Sequence, residues 1–145
     1  MKNVRIIITT VLLLASFCVA VQAQERALLT AAVPFAFTVE NTNLPAGTYT
    51  IYILPPFNMI KVLSADGRKA AMIPAIPSLK SEGSKQTKLV FHRFGSEYFL
   101  AQVWEQGSEV HRNLRSGDRA RQLARNGDRI QSVTILADVN DGSHS

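Results

Sequence analysis

The chain has 145 residues, 16 Lys plus Arg against 11 Asp plus Glu, and a formal net charge of +5. That length suits a single domain with its own core, and the charge is too mild to select a nucleic-acid binder. Its one cysteine, Cys18, lies in the leader described next, so the rest of the chain has no disulfide, thiolate metal site or cysteine nucleophile.

Residues 1–23 carry the pattern of a cleaved signal peptide. Lys2 and Arg5 give a basic start, Ile6 to Val21 an almost wholly apolar run, and Val21-Gln22-Ala23 a small-residue cleavage site. The run is shorter than the roughly 20 residues that a spanning helix requires, which argues against a membrane anchor. A lipid-modified Cys18 is disfavoured by the bulky Phe17 before it. Cleavage leaves a domain expected over residues 24–139 and a frayed tail over 140–145, with no transmembrane anchor and a net charge of about +3.

From Ala32 the chain alternates as strands do. In "VPFAFTV", Val33, Phe35, Phe37 and Val39 share one face at period two, with Pro34 tolerated near a strand start or edge. Leu44-Pro45-Ala46-Gly47 fits a type I turn. "TYTIYIL" then sets Tyr49, Ile51 and Ile53 opposite Thr48, Thr50 and Tyr52, and the two runs are expected to pair as a hairpin or as neighbours. Pro55-Pro56 ends the second run, because neither residue donates to a ladder. "NMIKVLS" is a third strand, Asp66-Gly67 a hairpin turn, and "RKAAMIPAI" a fourth strand irregular at Pro74. Residues 77–88 are polar and rich in Ser, Lys and Gly, which predicts an exposed loop.

"TKLVFHRFGSEYFLAQVWE" predicts a hairpin reversing at Gly95-Ser96. Its apolar residues occupy both faces, Phe99, Ala101 and Val103 on one and Tyr98, Leu100 and Trp104 on the other. A strand apolar on both sides must be covered on both sides. The aromatic residues Phe91, Phe94, Tyr98, Phe99 and Trp104 are therefore expected in the interior. "EVHRNLR" suggests a short strand and "RIQSVTILADV" a closing one, with Val133, Ile135 and Ala137 on one face. The expectation is an all-β fold, a small antiparallel β-sandwich or barrel of seven to nine strands with one short helix near residues 116–126.

That helix lies in "RSGDRARQLARNGDR". Ala120, Leu123 and Ala124 form a small apolar stripe, Ser116 or Asp118 suits a cap, and Asn126-Gly127 suits a left-handed stop. Residues 112–129 also hold six arginines, Arg112, Arg115, Arg119, Arg121, Arg125 and Arg129, against Asp118 and Asp128. Such a charge run is ordinarily a solvated helix face with surface ion pairs. Its sharper use is anion binding by Arg119, Arg121 and Arg125, since guanidinium forks bind phosphates of lipopolysaccharide or lipid headgroups, or cell-wall carboxylates. Lys80, Lys85 and Lys88 would enlarge that surface if their loop lies near it.

Catalytic and metal signals are weak. His92, His111 and His144 form no His-x-His pair, so structural histidines are expected and no metal or other cofactor. Gly95-Ser96-Glu97 lacks the second glycine of a nucleophile elbow. Glu97, Glu105 and Glu109 sit in or beside turns, where glutamates face water.

Together "VPFAFTV", "LPAGTYTI" and "FHRFGSEYFLAQVW", followed by the arginine-rich stretch, resemble small exported β-rich proteins of uncharacterised function from Acidobacteria-like soil bacteria. The resemblance implies export and a β-rich fold; it names no activity and carries over no site residue. "LPAGTYTI" alone is similar to a turn-and-strand phrase of prealbumin-like and Cna-B-like sandwich domains. The expected function is a non-catalytic exported binding or structural module of the cell envelope, its partner an anionic envelope component or a protein. The alternative is a carrier holding an apolar ligand inside a barrel beside Trp104 and Tyr98.

Overall fold

The computed structural model describes residues 25–80 and 82–140; the expected leader, residues 141–145 of the expected tail and His144 lie outside the described residues. Eleven strands and one helix follow in the order β1 (Arg26–Val33), β2 (Phe37–Val39), β3 (Thr42–Leu44), β4 (Gly47–Leu54), β5 (Met59–Ser64), β6 (Ala70–Leu79), β7 (Lys88–Phe94), β8 (Glu97–Trp104), β9 (Val110–Leu114), α1 (Asp118–Arg125), β10 (Gln131–Leu136) and β11 (Asp138–Val139). The fold is all-β and sandwich-like with one short helix, as expected. The strand count among the described residues is eleven, above the expected seven to nine, for three reasons. A strand β1 precedes the first expected one, Thr42–Leu44 of the expected turn region folds back on Phe37–Val39 as the β2–β3 hairpin, and Ala137 interrupts the last strand.

The hydrogen-bonded order is β10-β7-β8-β9-β6-β5-β4-β1-β11. One strand serves both layers: β6 pairs β5 through Pro74 and pairs β9 from Ala75 onward. Pro74 has no N–H to donate, so the change of partner falls where the ladder is weakest. At the other corner, β10 pairs β7 while β11 pairs β1. The pairs are antiparallel, except that Thr38 of β2 lies parallel beside Phe99 of β8.

Two pairings depart from the sequence expectation. β4 runs against β1, not against "VPFAFTV" as a whole, with Val33 opposite Gly47 and Ala31 opposite Tyr49. In β1 the register shifts between Ala27 and Leu29, and this bulge lets the adjacent Leu28 and Leu29 both bury, at 1% and 0% exposure. That departure from period two is why β1 is not legible as alternation. The expected loop over residues 77–88 also starts late, because Pro77, Ser78 and Leu79 pair with Arg112, His111 and Val110.

The inward faces meet in one core that includes Ile51, Ile60, Val62, Ile73, Leu89, Phe91 and Val103. Tyr49 is buried there, its hydroxyl donating to the Pro45 carbonyl at 2.5 Å and its ring edge-on to Phe37 at 5.1 Å. The hydroxyl is thereby satisfied while the ring fills the core. Asn140, expected in the frayed tail, is tied down, its amide donating to Leu28 O at 3.3 Å and its side chain to Thr30 Oγ1 at 2.8 Å.

Candidate functional site: the outer face of the β7–β8 hairpin

Counting back from the turn, Phe94 faces Glu97 and Phe91 faces Leu100; the register then slips by one, so that Val90 faces Gln102 and Lys88 faces Trp104. Ala101 is the extra residue. A bulge of this kind puts residues three apart on one face. Leu100 and Val103 both enter the core, while Phe99 and Phe94 point outward.

Phe94 and Phe99 meet edge-on at 5.8 Å and are covered by Ala120 and Leu123 of α1. The hairpin is thus covered on both faces at its Gly95 end, as its composition requires. At the other end it is open outside, and Trp104 stands on that outer face in partial exposure. Tyr98 lies against the core, stacked on Phe35 at 3.8 Å. The interior that a carried ligand would need is filled by Tyr49, Phe91, Ile51, Ile60, Ile73 and Val103, each at most 1% exposed.

The start of α1 is capped from a distance. Gly117 is the N-cap and no side chain of its own segment serves; the Asn41 side-chain oxygen accepts from Asp118 N at 2.9 Å. This corrects the expectation that Ser116 or Asp118 caps the helix. Gly117 permits the approach, since a Cβ there would lie 1.7 Å from the Glu40 carbonyl oxygen. At the other end Gly127, at φ 78°, donates to Ala124 O and Asp128 donates to Leu123 O, the paired closure of a left-handed stop.

The arginines divide by partner. Arg119 forks onto Glu97, Nε to Oε1 at 3.0 Å and Nη2 to Oε2 at 2.9 Å. This bond holds the Glu97 carboxyl below the usual carboxylate range and raises the Arg119 guanidinium. Arg121 donates to Ser116 O at 2.9 Å and to Asp118. Arg115 lies 3.7 Å from Glu40. Arg125 and Arg129 are exposed and have no acidic partner among the described residues. Arg115, Arg121 and His92 line a groove of about 200 Å³ between α1 and the sheet, floored by Phe94 and Phe99. Of the three expected anion ligands, Arg119 is occupied within the fold, Arg121 is partly engaged and Arg125 is available.

A second cluster stands at the open end of the same face. Trp104 stacks on His111 with centroids 4.1 Å apart, and the Lys80 and Lys88 ammonium groups each lie 5.1 Å from the indole centroid. The indole donates to Gln102, Gln102 to Asn113 and Asn113 to Ser78, an amide chain across β8, β9 and β6. His111 Nδ1 is buried without a partner among the described residues, and burial together with Lys80 keeps the imidazole below its ordinary pKa. Lys80 and Lys88 gather on Trp104, and none of Lys80, Lys85 and Lys88 lines the groove beside α1. On the opposite face Arg112 points inward, lowered by burial, with Glu105 near it and itself bound to Arg26 at 2.7 Å. Glu97 and Glu105 are therefore both held in ion pairs. Sequence reasoning missed the Trp104 cluster because it hinges on Ala101: without the bulge, Lys88 would face Val103.

Among the described residues, no group of three or more His, Cys, Asp or Glu could hold a metal ion, and no helix is long and apolar enough to cross a membrane. Comparison with protein-family models, with curated proteins and with solved structures finds no match to this chain.

Proposed function

We propose that the protein is an exported, non-catalytic binding module that rests on a phosphate-bearing lipid surface of the cell envelope through α1 and the segment after it. The reading is carried by one observation: α1 is fastened to the sheet by Ala120, Leu123 and the Arg119–Glu97 fork, and this leaves Arg125 and Arg129 outward without acidic partners among the described residues. A helix so fixed presents its charges without paying to order the backbone on binding. Arg119 acts here as a positioning residue, and Arg121, Arg125 and Arg129 meet the phosphates. Export rests on the basic start, apolar run and cleavage pattern of residues 1–23.

Co-sedimentation with vesicles tests the proposal. The protein should bind vesicles containing phosphatidylglycerol and not vesicles of phosphatidylcholine alone, with binding that weakens as NaCl rises. Changing Arg121, Arg125 and Arg129 together to Gln should weaken it roughly 100-fold, from the contribution typical of three surface cations. Equal binding to both vesicle types, or no effect of the triple change, would refute it.

A further inference from the structure

The bulge at Ala101 sets Lys88, Trp104 and His111 in a row across β7, β8 and β9, each opposite the next. Lys80 follows the end of β6, its amide donating to the Glu109 carbonyl at 2.9 Å, and its ammonium reaches the same indole as Lys88. Two cations thus converge on one ring. The ring's negative face holds them but cannot neutralise them, and neither has an acidic partner within 4 Å among the described residues. Both also line a hollow of about 190 Å³, closed by Lys85, Ser84 and Gln86, with Glu82 as the one acid of its wall among the described residues. Three lysines against one glutamate leave this wall with net positive charge.

The shape and charge select the ligand class. The hollow is smaller than the roughly 300–1,000 Å³ of clefts that hold whole small molecules, so it admits a single charged group. Its cations are point charges arriving from three chain positions, without a planar guanidinium fork; that arrangement suits a tetrahedral oxyanion better than a flat carboxylate. The polypeptide supplies rigidity: Ser84 is buried, its amide donates to Ser108 O at 3.1 Å, its carbonyl accepts from Gly107 N at 2.9 Å, and its hydroxyl donates to Gln86 O at 2.6 Å.

We propose that Lys80 and Lys88, held over the Trp104 ring, bind a phosphate group together with Lys85 of the same hollow. The site shares no residue with α1 and stands whether or not α1 meets a lipid surface.

Trp104 is the only tryptophan of the chain, so its fluorescence reports on the site directly. The intact protein is titrated with inorganic phosphate and, separately, with glycerol 3-phosphate, ionic strength being held constant with NaCl. A saturable change with half-saturation of about 1–10 mM is expected, at least tenfold weaker in the K80Q/K88Q variant and within twofold of wild type in the R121Q/R125Q/R129Q variant. Tighter binding of the inorganic ion identifies free phosphate as the ligand, and tighter binding of the ester identifies a phosphorylated molecule. Circular dichroism confirms that the lysine variant is folded, and amide shifts over residues 83–87 give a second readout that does not depend on the Trp104 indole. Absence of saturation with both compounds, or an equal response in K80Q/K88Q, overturns the proposal.

Discussion

Replacing Gly117 by Ala should unseat α1. Gly117 has φ −74° and ψ 178°, a conformation open to any residue, so glycine is required here for space alone. The added Cβ would lie 1.7 Å from Glu40 O, 2.4 Å from Glu40 C and 2.7 Å from Asn41 Oδ1. Two of these three atoms are backbone, and no rotamer change relieves that overlap. The β2–β3 turn and the start of α1 must part by well over an ångström, and the 2.9 Å bond from Asp118 N to Asn41 is then lost. Loss of a cap costs about 1 kcal/mol and forced overpacking about 1–3 kcal/mol more, giving roughly 2–4 kcal/mol in total. Asn41→Ala removes the cap without the clash and should cost only about 1 kcal/mol. Urea unfolding separates the two: at a slope of about 2 kcal/mol per molar, the Gly117 variant should shift its midpoint by about 1–2 M and the Asn41 variant by about 0.5 M. A Gly117→Ala midpoint within 0.2 M of wild type would refute the close seating of α1 on the Glu40 turn.

Further outcomes follow from the same face. Deleting Ala101 removes the unpaired residue and leaves the pairs on either side of it in place, Phe91 with Leu100 and Lys88 with Trp104, with Leu100 and Val103 now two positions apart on the core face. The deletion should therefore keep a cooperative urea transition, its midpoint within about 0.5 M of wild type, and a collapse of the fold would refute Ala101 as the extra residue. His111, held below its ordinary pKa by burial and Lys80, favours the fold when neutral: its contribution is present above about pH 6.5 and is lost as pH falls through the lower folded-state value. Ring-proton shifts followed by NMR should place its midpoint below that of a free imidazole. Lys80→Gln should move the midpoint upward, and His111→Gln should flatten the dependence of stability on pH in that window.

Much of the sandwich is legible because its inward faces obey period two. Tyr49 and Ile51, Ile60 and Val62, and Ala71, Ile73 and Ala75 are all buried in alternation, and Gly95, at φ 60°, marks the central turn. The rest depends on events without a local signature. Both bulges, at Leu28 and at Ala101, break the alternation at ordinary apolar residues, and nothing in their chemistry announces the slip. The cap of α1 comes from Asn41, 77 positions away, so the neighbouring Ser116 and Asp118 mislead. The site is legible in composition but not in partnership: the arginine cluster is plain in the sequence, while the fork joining Arg119 to Glu97 across 22 positions exists only once α1 has folded back over the hairpin. For the same reason Lys80 and Lys88 read as loop charges until three strands bring them to one indole.

The central claim is that the protein works through the outer face of the β7–β8 hairpin and the helix laid over it. Its most direct test is an amide chemical-shift map of the intact protein on addition of short-chain phosphatidylglycerol micelles. The largest changes should fall on residues 115–130 and fade as salt rises. Changes concentrated on β1, β4 and β5 of the other layer, or a map that salt leaves untouched, would contradict it.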